Sequence, residues 1–205
     1  MRARAVIFDF GGVLTTCATP FRVREIVEAK GLPWEAVLHG FQTFRRDYDI
    51  GDLTVGEFYD RVWREAGLTV DAETRAAIEE ADTASFLYPN ARTLLWMRDL
   101  KRRGYRIGIL TNMPRELAPR FRACFAEYTS LADAITVSCE ERLVKPMRAI
   151  YDLTAERIGV PAEDIVFVDD SEMNCRGAEE AGWKTVRFVT NEQAERALER
   201  LLQEI

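Results

Sequence analysis

The chain has 205 residues, 47% apolar, 30% charged and 10% aromatic. That composition fits one domain with a sizeable insertion, or two small ones, and excludes wholesale disorder and collagen-like repeats. Lys plus Arg number 28 against 34 Asp plus Glu, and the net charge of -6 opposes attraction to a phosphate backbone, which argues against nucleic-acid binding.

In chain order, the apolar run Ala5 to Phe8 stops at Asp9 and the turn-forming Gly11 and Gly12, which predicts a buried strand. From about Pro20 to Phe86 no convincing strand occurs and the pattern is helical. Within it Thr54 to Glu57 reads as a capping box, followed by a helix face of Val55, Phe58, Tyr59, Val62, Trp63 and Ala66. Asn90 then precedes a helix carrying Leu94, Met97 and Leu100 and stopped by Gly104. Strand-like runs follow at Arg106 to Leu110, Ala134 to Val137, Ile165 to Val168 and Thr185 to Phe188, with helical patterns between them. Ala194, Ala197, Leu198, Leu201, Leu202 and Ile205 form the apolar stripe of a last helix. This alternation predicts an α/β fold, a Rossmann-like parallel sheet flanked by helices. The expected division is a core of residues 1–15 and 87–205 with a small all-helical unit at 16–86.

No stretch approaches the ~20 apolar residues of a membrane helix, and the start MRARAVIF lacks the apolar region of a cleavable leader. A cytoplasmic protein with no membrane partner is the expectation. Cys17, Cys124, Cys139 and Cys175 form no CxxC pair and read as reduced packing residues. With His39 the single histidine, acid-base or nucleophilic chemistry must come mainly from carboxylates. No heptad run or exposed stripe specifies an association state.

In open parallel sheets ligands bind beyond the carboxyl ends of the strands. Asp9, then Thr111 and Asn112, then Asp169 and Asp170 occupy those ends. Lys145 stands before Pro146, a favoured first helical residue, so its amine is expected at a helix start beside them. Each residue alone is an ordinary turn, cap or surface group. Together they suit a hard divalent cation and a phosphate.

The segments FDFGGVLT, ILTN, VKP and IVFVDDSEMN, in this order and around a cap-sized insertion, resemble the haloacid dehalogenase superfamily of hydrolases, in the subgroup with a helical cap after the first motif. The resemblance implies that Asp9 is a nucleophile forming an aspartyl-phosphate. It implies that Mg2+ is held by Asp9, the backbone carbonyl of Gly11 and Asp170, with Asp169 and Asn174 in support. Thr111 would bond a phosphoryl oxygen, Lys145 would neutralise nucleophile and phosphate, and Gly11, Gly12 and Asn112 would add donors. The implied function is a magnesium-dependent phosphatase of a small phosphorylated metabolite, sugar-phosphate-like. The chain departs from many relatives at Gly11, where they carry a second aspartate acting as general acid and base, and at Asn174, where they often carry aspartate. A 2-haloacid dehalogenase and a non-catalytic binding module are the alternatives. Substrate selection is expected between Thr15 and Phe86, with Phe21, Arg22, Trp34, His39, Phe44, Arg45 and Arg46 as candidates.

Overall fold

The computed structural model describes residues 4–16 and 21–203; Cys17 and Ile205 lie outside them, as does the side chain of Phe21. Strand β1 (Ala5–Phe8) leads through a tight turn at Phe10–Leu14 into four helices, α1 (Phe21–Ala29), α2 (Trp34–Asp49), α3 (Val55–Glu65) and α4 (Ala72–Ser85). The alternating part follows: α5 (Ala91–Arg102), β2 (Arg106–Thr111), α6 (Leu117–Cys124), α7 (Ala126–Leu131), β3 (Ala134–Val137), α8 (Ser138–Glu141) and α9 (Arg148–Ile158). It closes with β4 (Ile165–Asp169), α10 (Glu172–Glu180), β5 (Lys184–Arg187) and α11 (Asn191–Gln203). The five strands pair in parallel in the order β3-β2-β1-β4-β5. Among the described residues no helix is long and apolar enough to cross a membrane.

Every residue of β1 is buried, because helices cover both faces of the sheet and successive side chains point to opposite sides. Val6 and Phe8 join one apolar cluster, with α5 and α11; Ala5 and Ile7 join the other, with α9 and α10. Gly108 on β2 permits the close approach of α9, since a Cβ there would stand 3.0 Å from both Ile7 and Ile158. In α11 the predicted stripe holds: Ala194, Leu198 and Leu202 are buried and Ala197 and Leu201 pack beside them.

The four helices α1 to α4 enclose a third cluster of their own, containing Val27, Val37, Phe58, Tyr59, Val62 and Ile78. The capping box at Thr54 and Glu57 is formed in full. A short antiparallel pairing of Thr15 with Pro89 joins this unit to the sheet, reinforced by Thr16 N–H donating to Tyr88 O and Asn90 N–H to Leu14 O, both at 2.8 Å. Asn90 precedes α5 as expected, and its side-chain amide donates to Val13 O and to Asn191 Oδ1, tying the β1 turn to α11. One sequence expectation needs correction: Pro146 does not open α9, which begins at Arg148, so Lys145 sits on a connecting loop and not at a helix start.

Candidate active site

The chain leaves β1 for strands on one side and returns to the other, so β1 lies centrally between β2 and β4. The carboxyl ends of these three strands therefore converge, which is the crevice such sheets offer to ligands. Asp9 follows β1 directly, its N–H still bonded to Val168 O at 2.9 Å, while Thr111 and Asp169 terminate β2 and β4.

Lys145 fills the middle of this crevice. It is 4% exposed, and its Nζ lies 2.7 Å from Asp9 Oδ1, 2.7 Å from Asp169 Oδ2 and 3.2 Å from Leu110 O. Three donors thus meet three acceptors, which is what a buried ammonium requires. The loop carrying it is clamped by Asn112, whose Nδ2 donates to Lys145 O at 3.0 Å and whose Oδ1 accepts from Lys145 N–H at 2.8 Å. The amide expected to bond substrate is thereby turned onto the backbone of Lys145.

Asp169 is equally committed. Its Oδ2 takes Lys145, and its Oδ1 accepts from Ser171 N–H at 2.8 Å and Asn174 Nδ2 at 3.1 Å. Asp170 is exposed at the mouth of the site, and oxygens of Asp9, Asp169 and Asp170 all lie within 4.8 Å of one another. Three carboxylates face one ammonium, an excess of negative charge that a hard divalent cation would compensate. The electrostatics register this imbalance. Burial pushes Asp9 up to about 8; Lys145 pulls against the rise, and Asp169 and Asp170 add to it. Burial alone would lower Lys145, but Asp169 and Asp9 hold it above its ordinary value. Asp170 is raised by partial burial and then by Asp169.

A cavity of about 220 Å³ opens over Asp9 and Lys145, lined also by Phe10, Gly11, Asn112, Leu117, Asp170 and Asn174 from the sheet side and by Arg45, Asp49 and Phe86 above. Of the specificity candidates whose side chains are described, only Arg45 lines it. Arg22 is exposed on α1 and lines no part of it, and Trp34 is buried in the helical cluster. Phe44 packs on that cluster, His39 is exposed with its ring 3.7 Å from Glu65, and Arg46 reaches Met147 Sδ at 4.0 Å. Gly12, at φ 73, bonds its N–H to Thr15 Oγ1 at 3.0 Å and faces a neighbouring cavity, so that donor is already taken. The buried Thr111 hydroxyl donates to Asn112 O at 3.3 Å.

Asp49 is the residue that sequence reasoning missed. It is buried at the end of α2 and accepts from Arg45 Nε at 2.9 and 3.0 Å, while Arg45 Nη1 also lies 3.7 Å from Asp82. The guanidinium stacks over Phe86 at 5.6 Å. The available signal was the four-residue spacing of Arg45 and Asp49, which puts both on one helix face.

Residues 3–182 match the profile of the haloacid dehalogenase-like hydrolase family, and the chain belongs to that family of enzymes. Among curated relatives, a phosphatase from Mycobacterium tuberculosis is 29% identical over 90% of this chain and 86% of its own. A sesquiterpene phosphatase from Aspergillus oryzae is 30% identical over 87% and 86%. Among solved structures, a haloacid dehalogenase family enzyme from Bacteroides thetaiotaomicron, in complex with magnesium and inorganic phosphate, superposes with a TM-score of 0.70 at 23% identity, over 90% of this chain and 93% of that one. At that identity the likeness concerns the fold.

Proposed function

We propose that this protein is a magnesium-dependent phosphatase of a small phosphorylated metabolite, working through an aspartyl-phosphate on Asp9. The observation that carries the reading is the position of Asp9: 7% exposed, at the centre of the sheet edge, with one oxygen held by Lys145 and an acidic neighbour open to solvent. The contact with Lys145 runs through Oδ1, which leaves Oδ2 to attack phosphorus in line. Lys145 sits where it offsets charge on the nucleophile and on the incoming phosphoryl oxygens together. Magnesium, held by Asp9, the Gly11 carbonyl and Asp170, would supply Lewis-acid stabilisation of the phosphoryl charge. Asp169 and Asn174 serve that centre from behind, because the Asp169 oxygens are spent on Lys145, Ser171 N–H and the Asn174 amide nitrogen. Asn112 serves it by fixing the Lys145 loop.

The acidic excess speaks against a dehalogenase, whose haloacid substrate would bring a further carboxylate and no cation to balance it. The test is hydrolysis of p-nitrophenyl phosphate and a panel of phosphate monoesters with and without magnesium, beside Asp9→Asn. Release that requires both magnesium and Asp9 is the expected result. Turnover that survives Asp9→Asn in a folded variant would overturn the nucleophile assignment.

A further inference from the structure

We propose that Asp49, reaching the site from α2, is the catalytic residue that protonates the leaving group and then deprotonates the attacking water. The inference rests on the phosphatase reading above and concerns the half of the reaction which Asp9 and Lys145 do not serve.

In an in-line displacement the nucleophile and the leaving oxygen stand on opposite sides of phosphorus. Asp9 attacks from the sheet edge, so the leaving oxygen faces away from β1, toward the lining that the helical unit supplies through Arg45 and Asp49 of α2 and Phe86 at the end of α4. The water that later opens the aspartyl-phosphate must approach along the same line, from the position the leaving group vacated. One group in that lining can therefore serve both steps.

Elimination among the lining groups singles out Asp49. Asp9 is the nucleophile, and Asp170 belongs to the cation site. Lys145 is bound to two carboxylates and a carbonyl, and stays protonated. Arg45 cannot give up its proton, and Asn112 and Asn174 are amides engaged elsewhere. Gly11 carries no side chain, and a Cβ there would already touch the Phe86 ring at 3.5 Å. His39 is exposed beside Glu65 and absent from the cavity wall. The carboxyl of Asp49 remains.

Its surroundings suit the role. Burial raises its proton affinity, Arg45 opposes the rise, Asp82 from α4 adds to it, and Lys145 from the sheet side opposes it again; the Cys139 thiol on α8 also feels its charge. The backbone is fixed as well, since the Ser138 hydroxyl donates to Asp49 O. As the Asp9 oxygen bonds phosphorus, the bond to the leaving oxygen breaks and the Asp49 proton moves to that oxygen. In the second half water bonds phosphorus, its proton returns to Asp49, and the bond from the Asp9 oxygen to phosphorus breaks to release inorganic phosphate. The net change is addition of one water to the monoester.

The experiment compares rapid-quench formation and breakdown of the phosphoenzyme in wild type, Asp49→Asn and Arg45→Gln, with p-nitrophenyl phosphate and with an alkyl phosphate such as glycerol phosphate. Nitrophenolate leaves without a proton and an alkoxide does not. Asp49→Asn should form phosphoenzyme from the aryl ester at close to the wild-type rate and then stall, giving a burst. From the alkyl ester, formation itself should fall by roughly 10²–10⁴-fold, the usual contribution of a positioned acid. Arg45→Gln should slow both substrates in parallel. Equal losses on the two substrates in Asp49→Asn, no loss on either, or the same split reproduced by Arg45→Gln would each overturn the assignment while leaving the phosphatase reading intact. Absence of any magnesium-dependent turnover by the wild type would overturn both.

Discussion

Lys145 joins two buried carboxylates at 2.7 Å each, and its removal therefore affects more than catalysis. A buried pair contributes little net stability against an apolar alternative, but deleting one partner strands the other's charge and costs about 3–5 kcal/mol. Lys145→Met should lose magnesium-dependent turnover and should also be destabilised by that order at neutral pH, as measured by urea unfolding. A variant as stable as wild type at pH 7 would mean that the carboxylates do not depend on the ammonium. Asn112 acts one step behind. Asn112→Ala removes both bonds that hold the Lys145 loop, so it should lower kcat by about 10–100-fold, the usual range for a supporting residue, with KM little changed. A rise in KM with kcat unaltered would instead make Asn112 a substrate contact.

The elements explain why some of this was legible in the sequence and some was not. An apolar run that stops at a polar residue marks the carboxyl end of a buried strand, and the run is short enough that the stop is unambiguous. Asp9, Thr111, Asp169 and Asp170 were readable for that reason, and the parallel order brings them together without further information. Lys145 was readable as a residue but not in its presentation: a helix start was expected, whereas the loop is shaped by Asn112, a contact 33 residues away in sequence. Asp49 was hidden differently. The stretch Arg45-Arg46-Asp47-Tyr48-Asp49 is rich in charge all round, and which face of α2 turns to the sheet depends on how the helical unit docks. Arg46 and Arg45 are neighbours in sequence, yet one reaches Met147 and the other lines the cavity. Backbone packing shows the same dependence on distant partners. Gly108→Ala places a methyl 3.0 Å from Ile7 and Ile158, an overpacking that should cost about 1–3 kcal/mol, read as a lowered urea midpoint with an unchanged slope. No change in midpoint would mean that α9 can back away from the sheet freely.

At the scale of the whole molecule, folding itself brings the acidic groups together, and folding therefore carries the electrostatic penalty. Asp9 has an ordinary value of 3.8 and is pushed up to about 8 in the fold, by burial above all. Between those values the folded protein keeps a proton on Asp9 that the unfolded chain has released. Stability in the absence of a divalent cation must then fall as pH rises through that window, because the unfolded state binds fewer protons. Asp49 and Asp170, also raised, act in the same direction. A cation reverses the trend: it requires the ionised carboxylate, so binding displaces the proton and strengthens with pH, and whatever binds only the folded state raises its stability. The melting temperature measured in a chelator should accordingly decline from pH 6 to pH 8, and the gain on adding magnesium should be larger at pH 8 than at pH 6. In Asp9→Asn the chelator decline should flatten in part, since Asp49 and Asp170 remain, and the magnesium gain should drop at both pH values. A gain independent of pH, or one retained in full by Asp9→Asn, would mean that magnesium stabilises the protein from somewhere other than the crevice at the end of β1.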